Sequence, residues 1–253
     1  MKSFINRVKQ YSTLSDELWA AFDDLKVQRQ TYSAGETLIH MGDVTDSLFV
    51  IEEGWAMRYR LLEDGRRQIV NFMLPGDMFD LQSLADLEAD HSVTAITDLK
   101  VTLIAQGPFL ETLRSDADLA SAFWWAAVQE ESILREQIVR IGRRSARERI
   151  GHMLLELRRR YLIATGDAGN GFEFPLTRAH LADALGLTVV HVSRTMSALK
   201  RSKLLEETGT HIVIHDLDKL RRLSQFDDQY LHNRNLDFSR FTAGAESSGN
   251  PLS

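Results

Sequence analysis

Cysteine is absent from all 253 residues. Its absence excludes disulfides, thiolate nucleophiles, Cys-ligated zinc and Cys-held iron–sulfur clusters. No apolar run approaches the roughly 20 residues that cross a bilayer. The first residues, MKSFINRVKQYSTLSDELW, have no apolar core of the signal-peptide kind, so the chain is expected in the cytoplasm with no membrane partner. Also missing are a phosphate-binding loop, a Rossmann glycine pattern, a zincin helix and a Gly-x-Ser-x-Gly elbow. The glycines of residues 166–171 lack the lysine and hydroxyl that a phosphate loop needs. Histidine is scattered, with only His40 and His91 in the stretch that reads as β structure, too few for a cupin-type metal centre. No enzyme is expected, and no metal.

What is present is unevenly charged. The net charge of −6 looks wrong for a nucleic-acid binder. Residues 1–140, however, carry 13 Lys and Arg against 23 Asp and Glu, whereas residues 141–222 carry 15 against 9. A polyanion is repelled by the first block and attracted to the second. Basic blocks also occur on surfaces that bind nothing, so the asymmetry needs a motif beside it.

Periodicity divides the chain further. Leu14, Leu18, Trp19, Phe22 and Leu25 fall at helical spacing with Ser15 placed to cap them. Between residues 28 and 107, short strand-like runs alternate with turn signals: Gly35, Gly42 and Asp43, Gly54, Asp64 and Gly65, Pro75 to Asp77. That rhythm predicts an antiparallel β-roll, with Asp64 and Gly65 as the clearest hairpin. A long helix is predicted over 116–141 with two seams. Leu119, Phe123, Ala126, Ile133 and Ile141 line one; Ala120, Trp124, Ala127, Leu134 and Ile138 line the other. One seam is expected on the roll and the other on a partner helix, although packing within one chain produces the same pattern. A joint is expected at 142–145 and another helix over 146–164, followed by a turn at 167–171. The fold class is therefore α+β, divided as 1–115 (roll), 116–142 (long helix), 143–222 (basic C-terminal block) and 223–253 (tail). The Gly, Ala and Ser content of residues 241–253 predicts disorder there.

The strongest segment is PLTRAHLADALGLTVVHVSRTMSALKRSKLL, residues 175–205. Thr177 is a good N-cap for a helix from Arg178 to Leu185, and Gly186 suits the left-handed position that ends it. Thr188 caps a second helix, Val189 to Arg201, whose Val192, Met196 and Leu199 point inward. Val189, Val190, His191, Ser193 and Arg194 are left on the outer N-terminal side, the end that a recognition helix puts into a major groove. Strand-like residues to either side of Gly209 follow as a wing. His211 and His215 are read as wing residues, since no third ligand accompanies them.

These motifs resemble the CRP/FNR superfamily of bacterial regulators, over nearly everything from residue 15 to 222. The turn pattern of Gly35, Gly42, Gly54 and Gly76 is similar to that family's cyclic-nucleotide-binding-like roll, and residues 187–195 are similar to its recognition helix. The resemblance implies a homodimer joined through residues 116–141, binding to palindromic double-stranded DNA, and contact with RNA polymerase. Arg194 matches the family's guanine-reading arginine, and a guanidinium does reach both guanine acceptors at once. Ser193 matches a serine of the FNR-type subgroup. Where the family carries a glutamate, this chain has Val190 beside His191, which leaves the half-site open: valine can touch a thymine methyl but cannot accept from cytosine. Thr177, Arg178, Lys200 and Arg201 are candidate phosphate contacts, with solvated surface charge as the bland alternative for the basic ones, and Thr188 and Val189 complete the candidate DNA-binding set.

Cyclic-nucleotide-binding members of the family hold the ribose with a glutamate and the phosphate with an arginine. Here Leu81 stands where that glutamate would be and His91, followed by Ser92, where the arginine would be. Asp77, Asp80 and Asp90 add negative charge nearby. These residues, Asp77, Asp80, Leu81, His91 and Ser92, are the candidate ligand pocket, and cyclic AMP is not expected to bind them in the usual way. The blander reading of His91, a histidine bonded to a neighbouring strand or to Asp90, outweighs a ligand or sensor role. Haem has no support beyond isolated histidines, so no cofactor is expected. A small-ligand sensor module without DNA activity is the rival reading; the basic helix-turn-helix block opposes it.

Overall fold

The computed structural model describes residues 2–9, 27–167 and 169–231. The helix expected around Leu14 to Leu25 and the low-complexity end of the tail lie outside the described residues.

The roll is built from two antiparallel four-stranded sheets. One contains β1 (Val27–Tyr32), β8 (Leu99–Ala105), β3 (Ser47–Glu53) and β6 (Met78–Phe79), in that order. The other contains β2 (Thr37–Ile39), β7 (Ser92–Ala95), β4 (Ala56–Leu61) and β5 (Arg67–Met73). The β4–β5 hairpin turns at the expected Asp64 and Gly65 and pairs Ala56 with Met73 through Leu61 with Arg67. Two strands escape the sequence reading for different reasons. β1 (VQRQTY) is exposed along most of its length and carries no apolar alternation. β6 is only two residues long.

A short helix, α1 (Lys2–Val8), lies against the turn that follows β5. Gly76 there has φ +88, and a Cβ on it would sit 2.6 Å from the Ser3 carbonyl oxygen, so both the conformation and the close approach demand glycine. After the roll come α2 (Gln106–Ser115) and the long helix α3 (Ala117–Arg143), capped by Asp116. Its two seams part as the periodicity implies. Leu119, Phe123 and Ile133 are buried, while Trp124 and Ile138 are 63% and 67% exposed. The helix runs through Gly142 and stops at Arg144, whose backbone is extended (φ −83, ψ 147). Ser145 then opens α4 (Ala146–Thr165) with a capping box to Glu148.

The C-terminal region adds β9 (Gly171–Glu173), α5 (Arg178–Leu185), α6 (Val189–Arg201), β10 (Leu205–Thr208), β11 (His211–Ile214) and α7 (Leu217–Ser224). The expected two-stranded wing has a third strand, because β9 pairs with β11 where a simple turn was read. The roll and this region share one apolar cluster: Trp55, Met57, Ile69 and Phe72 pack with Ile150, Leu154, Leu181 and Val192. Residues 223–231, assigned to the tail by sequence, fold back on the core. Leu231 is buried, its carbonyl accepts from Gln129 of α3, and the Tyr230 hydroxyl donates to Glu156 at 2.7 Å.

Candidate nucleic-acid interface

The two helices of the turn begin and end where their caps dictate. Thr177 Oγ1 accepts from His180 N at 3.1 Å, and Thr188 Oγ1 accepts from His191 N at 3.2 Å. Gly186 closes α5 in the left-handed region (φ 61) and lets the chain reverse within three residues. Leu181, Ala182, Leu185, Val192, Met196 and Leu199 are buried between the helices. The other face of α6 is open: Val189 and Val190 are 47% and 59% exposed, and His191 and Arg194 are exposed beside the half-buried Ser193. Arg194 has no ion-pair partner among the described residues.

An open groove runs along this face, lined by Thr188, Val190, His191 and Arg194 of the turn and by Ser145, Ala146 and Arg147 at the start of α4. The α4 residues are the part that sequence reasoning missed. They stand some forty positions before Val190, and only the fold brings them beside it. The capping box of Ser145 and Glu148 was their one legible signal.

Arg178 and Lys200 are placed differently from Arg194. Both reach Glu207 of β10: Arg178 Nη2 is paired with Glu207 Oε2, and Lys200 Nζ lies 3.3 Å from the same oxygen. Burial opposes the Glu207 charge, but Arg178 and then Lys200 outweigh it and hold its carboxyl below the usual range.

Among the candidate ligand residues of the roll, Asp80 and His91 lie close enough to shift each other's pKa. Asp80 and Leu81 line a cavity of about 170 Å³ together with Phe4, Arg7, Arg58, Gln82 and Glu130. Asp77, His91 and Ser92 are not among its lining residues. Asp77 caps its own turn, accepting from Leu74 N at 2.9 Å, and is paired with both Arg7 of α1 and Arg160 of α4. Ser92 Oγ accepts from Met41 N at 3.0 Å. His91 Nδ1 lies 2.8 Å from Asp90 Oδ1; burial, then Arg58, pull its pKa down against the carboxylates. Asp80 is buried in a left-handed conformation (φ 68), bonded to the Thr45 hydroxyl, and burial raises its pKa.

The cavity is smaller than the roughly 300–1,000 Å³ that drug-sized ligands occupy. Its two arginines are already engaged, Arg58 with Glu130 at 3.1 Å and Arg7 with Asp77.

Comparison with known proteins agrees with this architecture. The Crp-like helix-turn-helix domain family matches residues 148–223, and the cyclic nucleotide-binding domain family matches residues 29–116. The chain is 35% identical over 210 residues to the transcriptional activator protein FnrL of Cereibacter sphaeroides, covering 81% of this chain and 83% of FnrL. It is 38% identical over 176 residues to the nitrogen fixation regulation protein FixK of Bradyrhizobium diazoefficiens, covering 69% and 72%. The solved structure of FixK2 from Bradyrhizobium japonicum superposes with a TM-score of 0.72 at 29% identity, covering 79% of this chain and 98% of that one. Among the described residues no helix is long and apolar enough to cross a membrane, and no cluster of three or more His, Asp or Glu stands ready for a metal. With α6 exposed beside a groove that carries Arg147 and Arg194, and with regulators as relatives over about four fifths of its length, the chain belongs to the CRP/FNR family of DNA-binding transcription regulators.

Proposed function

We propose that the protein acts in the cytoplasm as a homodimer on a palindromic operator. The α3 helices pair along the seam of Trp124 and Ile138, and the two α6 helices enter successive major grooves about 34 Å apart. The observation that carries this reading is the open face of α6, with Arg194 unpaired at its centre. Arg194 reads guanine, and Val190 and His191 read the flanking positions. Thr177, Thr188, Val189 and Ser193 hold the register, and Arg147 at the start of α4 reaches a phosphate. Activation proceeds through contact with RNA polymerase. Selection of bound duplexes from random sequence is expected to return a palindrome with guanine facing Arg194. Arg194→Ala relaxes that position and costs about 1–3 kcal/mol. Failure to enrich any motif, with or without cell extract, removes the reading.

The roll is a signal-responsive or vestigial sensor that does not take cyclic AMP in the usual way. The small cavity and its two committed arginines support this. Calorimetric titration of cyclic AMP is expected to give no heat of binding; micromolar affinity overturns the assignment.

A further inference from the structure

We propose that Glu207 is a charge brake on DNA binding, holding Arg178 and Lys200 within the protein so that neither neutralises a phosphate. The inference rests on the DNA-binding reading and refines it.

Arg178 opens α5, Lys200 stands in the last turn of α6, and Glu207 lies on the wing strand β10. Three separate elements therefore converge on one carboxylate. Its side chain is 17% exposed, against 27% for Arg178 and 44% for Lys200, so the anion is the most enclosed member and the cations cover it. Arg178 is bound through a charge-assisted hydrogen bond as well as by Coulomb attraction. Arg194 and Arg147 on the neighbouring groove have no such partner among the described residues. The DNA-binding region thus carries two classes of cation, one free among the described residues and one committed.

The committed pair bears on affinity through counterion release. Each phosphate that a protein neutralises steepens the fall of log K with log salt by about 0.9. A cation already balanced by an internal carboxylate must lose that partner to make a phosphate contact, and the partner left behind is an anion facing a polyanion. Glu207 therefore limits the sequence-independent part of binding, while base reading by Arg194 is left alone. It also fastens the wing to both helices.

The test measures the salt dependence of binding to a random duplex and to the selected operator. Glu207→Gln keeps the shape of the side chain and removes its charge. It is expected to tighten binding to the random duplex and to steepen the slope by about two per bound domain, an extra roughly ten-fold loss of affinity between 50 and 200 mM salt. In the wild-type background, Arg178→Gln and Lys200→Gln are expected to leave the slope unchanged, and this arm does not depend on how well Glu207→Gln folds. An unchanged slope in Glu207→Gln, or a decrease of about one in either single cation variant, overturns the proposal, since a purely structural ion triad moves stability and not the salt slope. A wild-type protein that binds neither duplex overturns the DNA-binding reading itself, an outcome distinct from wild-type binding with the wrong slopes.

Discussion

Asp77→Asn is expected to lower the unfolding free energy by about 3–5 kcal/mol, the usual cost of removing one member of a buried ion pair. The urea midpoint, with the slope of the transition checked for constancy, reports it. Asp77 and Arg160 have side chains only 7% and 8% exposed, and Arg7, the other partner, is 13% exposed. An arginine does not relieve burial by losing its proton, so the asparagine variant leaves two guanidinium groups converging on a neutral amide. Arg160 keeps the Phe72 carbonyl at 3.0 Å and Glu156 at 3.6 Å, which holds the cost inside that range. Arg160→Met is expected to cost a similar amount, and the double variant less than the sum of the two, because the second change removes a charge that the first left unpaired. Strict additivity would show that the pair is not coupled. Asp77 belongs to the roll and Arg160 to α4, so the same variants are expected to loosen the contact between the roll and the DNA-binding region.

Acid should unfold the protein earlier than its carboxylates alone would, because of His152. Burial, then Arg140 and Arg144, lower its pKa to about 2. Nδ1 accepts from Arg140 Nε at 3.3 Å and Nη2 at 3.2 Å, so the neutral ring carries its proton on Nε2, 3.2 Å from Glu136 Oε1. Phe226 and Tyr230 close over the ring with centroids 4.9 and 5.8 Å away. In the unfolded chain the imidazole titrates near its ordinary 6.5. Below that pH the unfolded state therefore binds a proton that the native state refuses. The contribution to stability is complete well above pH 6.5 and is lost as pH falls through 6.5 towards 2, at up to about 1.4 kcal/mol per unit, or about 2 kcal/mol between pH 6.5 and 4.5. His91 and His180, whose pKa values are also lowered by burial, act in the same direction. The discriminating measurement compares wild type with His152→Gln across that window. The variant is less stable at pH 7 but loses stability about one proton less steeply, and parallel curves would refute the assignment.

Both effects arise where the sequence was least informative. In the sequence Asp77 reads only as negative charge near Leu81 and His91, which groups it with the candidate pocket. Its partners stand 70 and 83 residues away, and no periodicity links such positions. The cavity was half legible: Asp80 and Leu81 line it, but Arg58 and Glu130 come from a strand and a helix whose patterns speak only of burial. Of the candidate interface, Arg194 and its neighbours follow from helical phase together with the family resemblance, whereas Arg147 needed the approach of α4. Arg178 and Lys200 looked like free cations until the wing strand brought Glu207 between them.

The sequence by itself determined the elements whose cause is short-ranged. The caps at Thr177 and Thr188, the left-handed Gly186 and the inward spacing of Leu181, Val192 and Met196 act within a few residues, and both helices of the turn start and stop where these signals put them. The hairpin at Gly65 and the two seams of α3 follow for the same reason. The tertiary structure alone decided which charges meet. An ion pair is chosen by proximity in a shielded place, and proximity between β10 and two helices, or between a turn of the roll and α4, exists only once the apolar cores have closed around them.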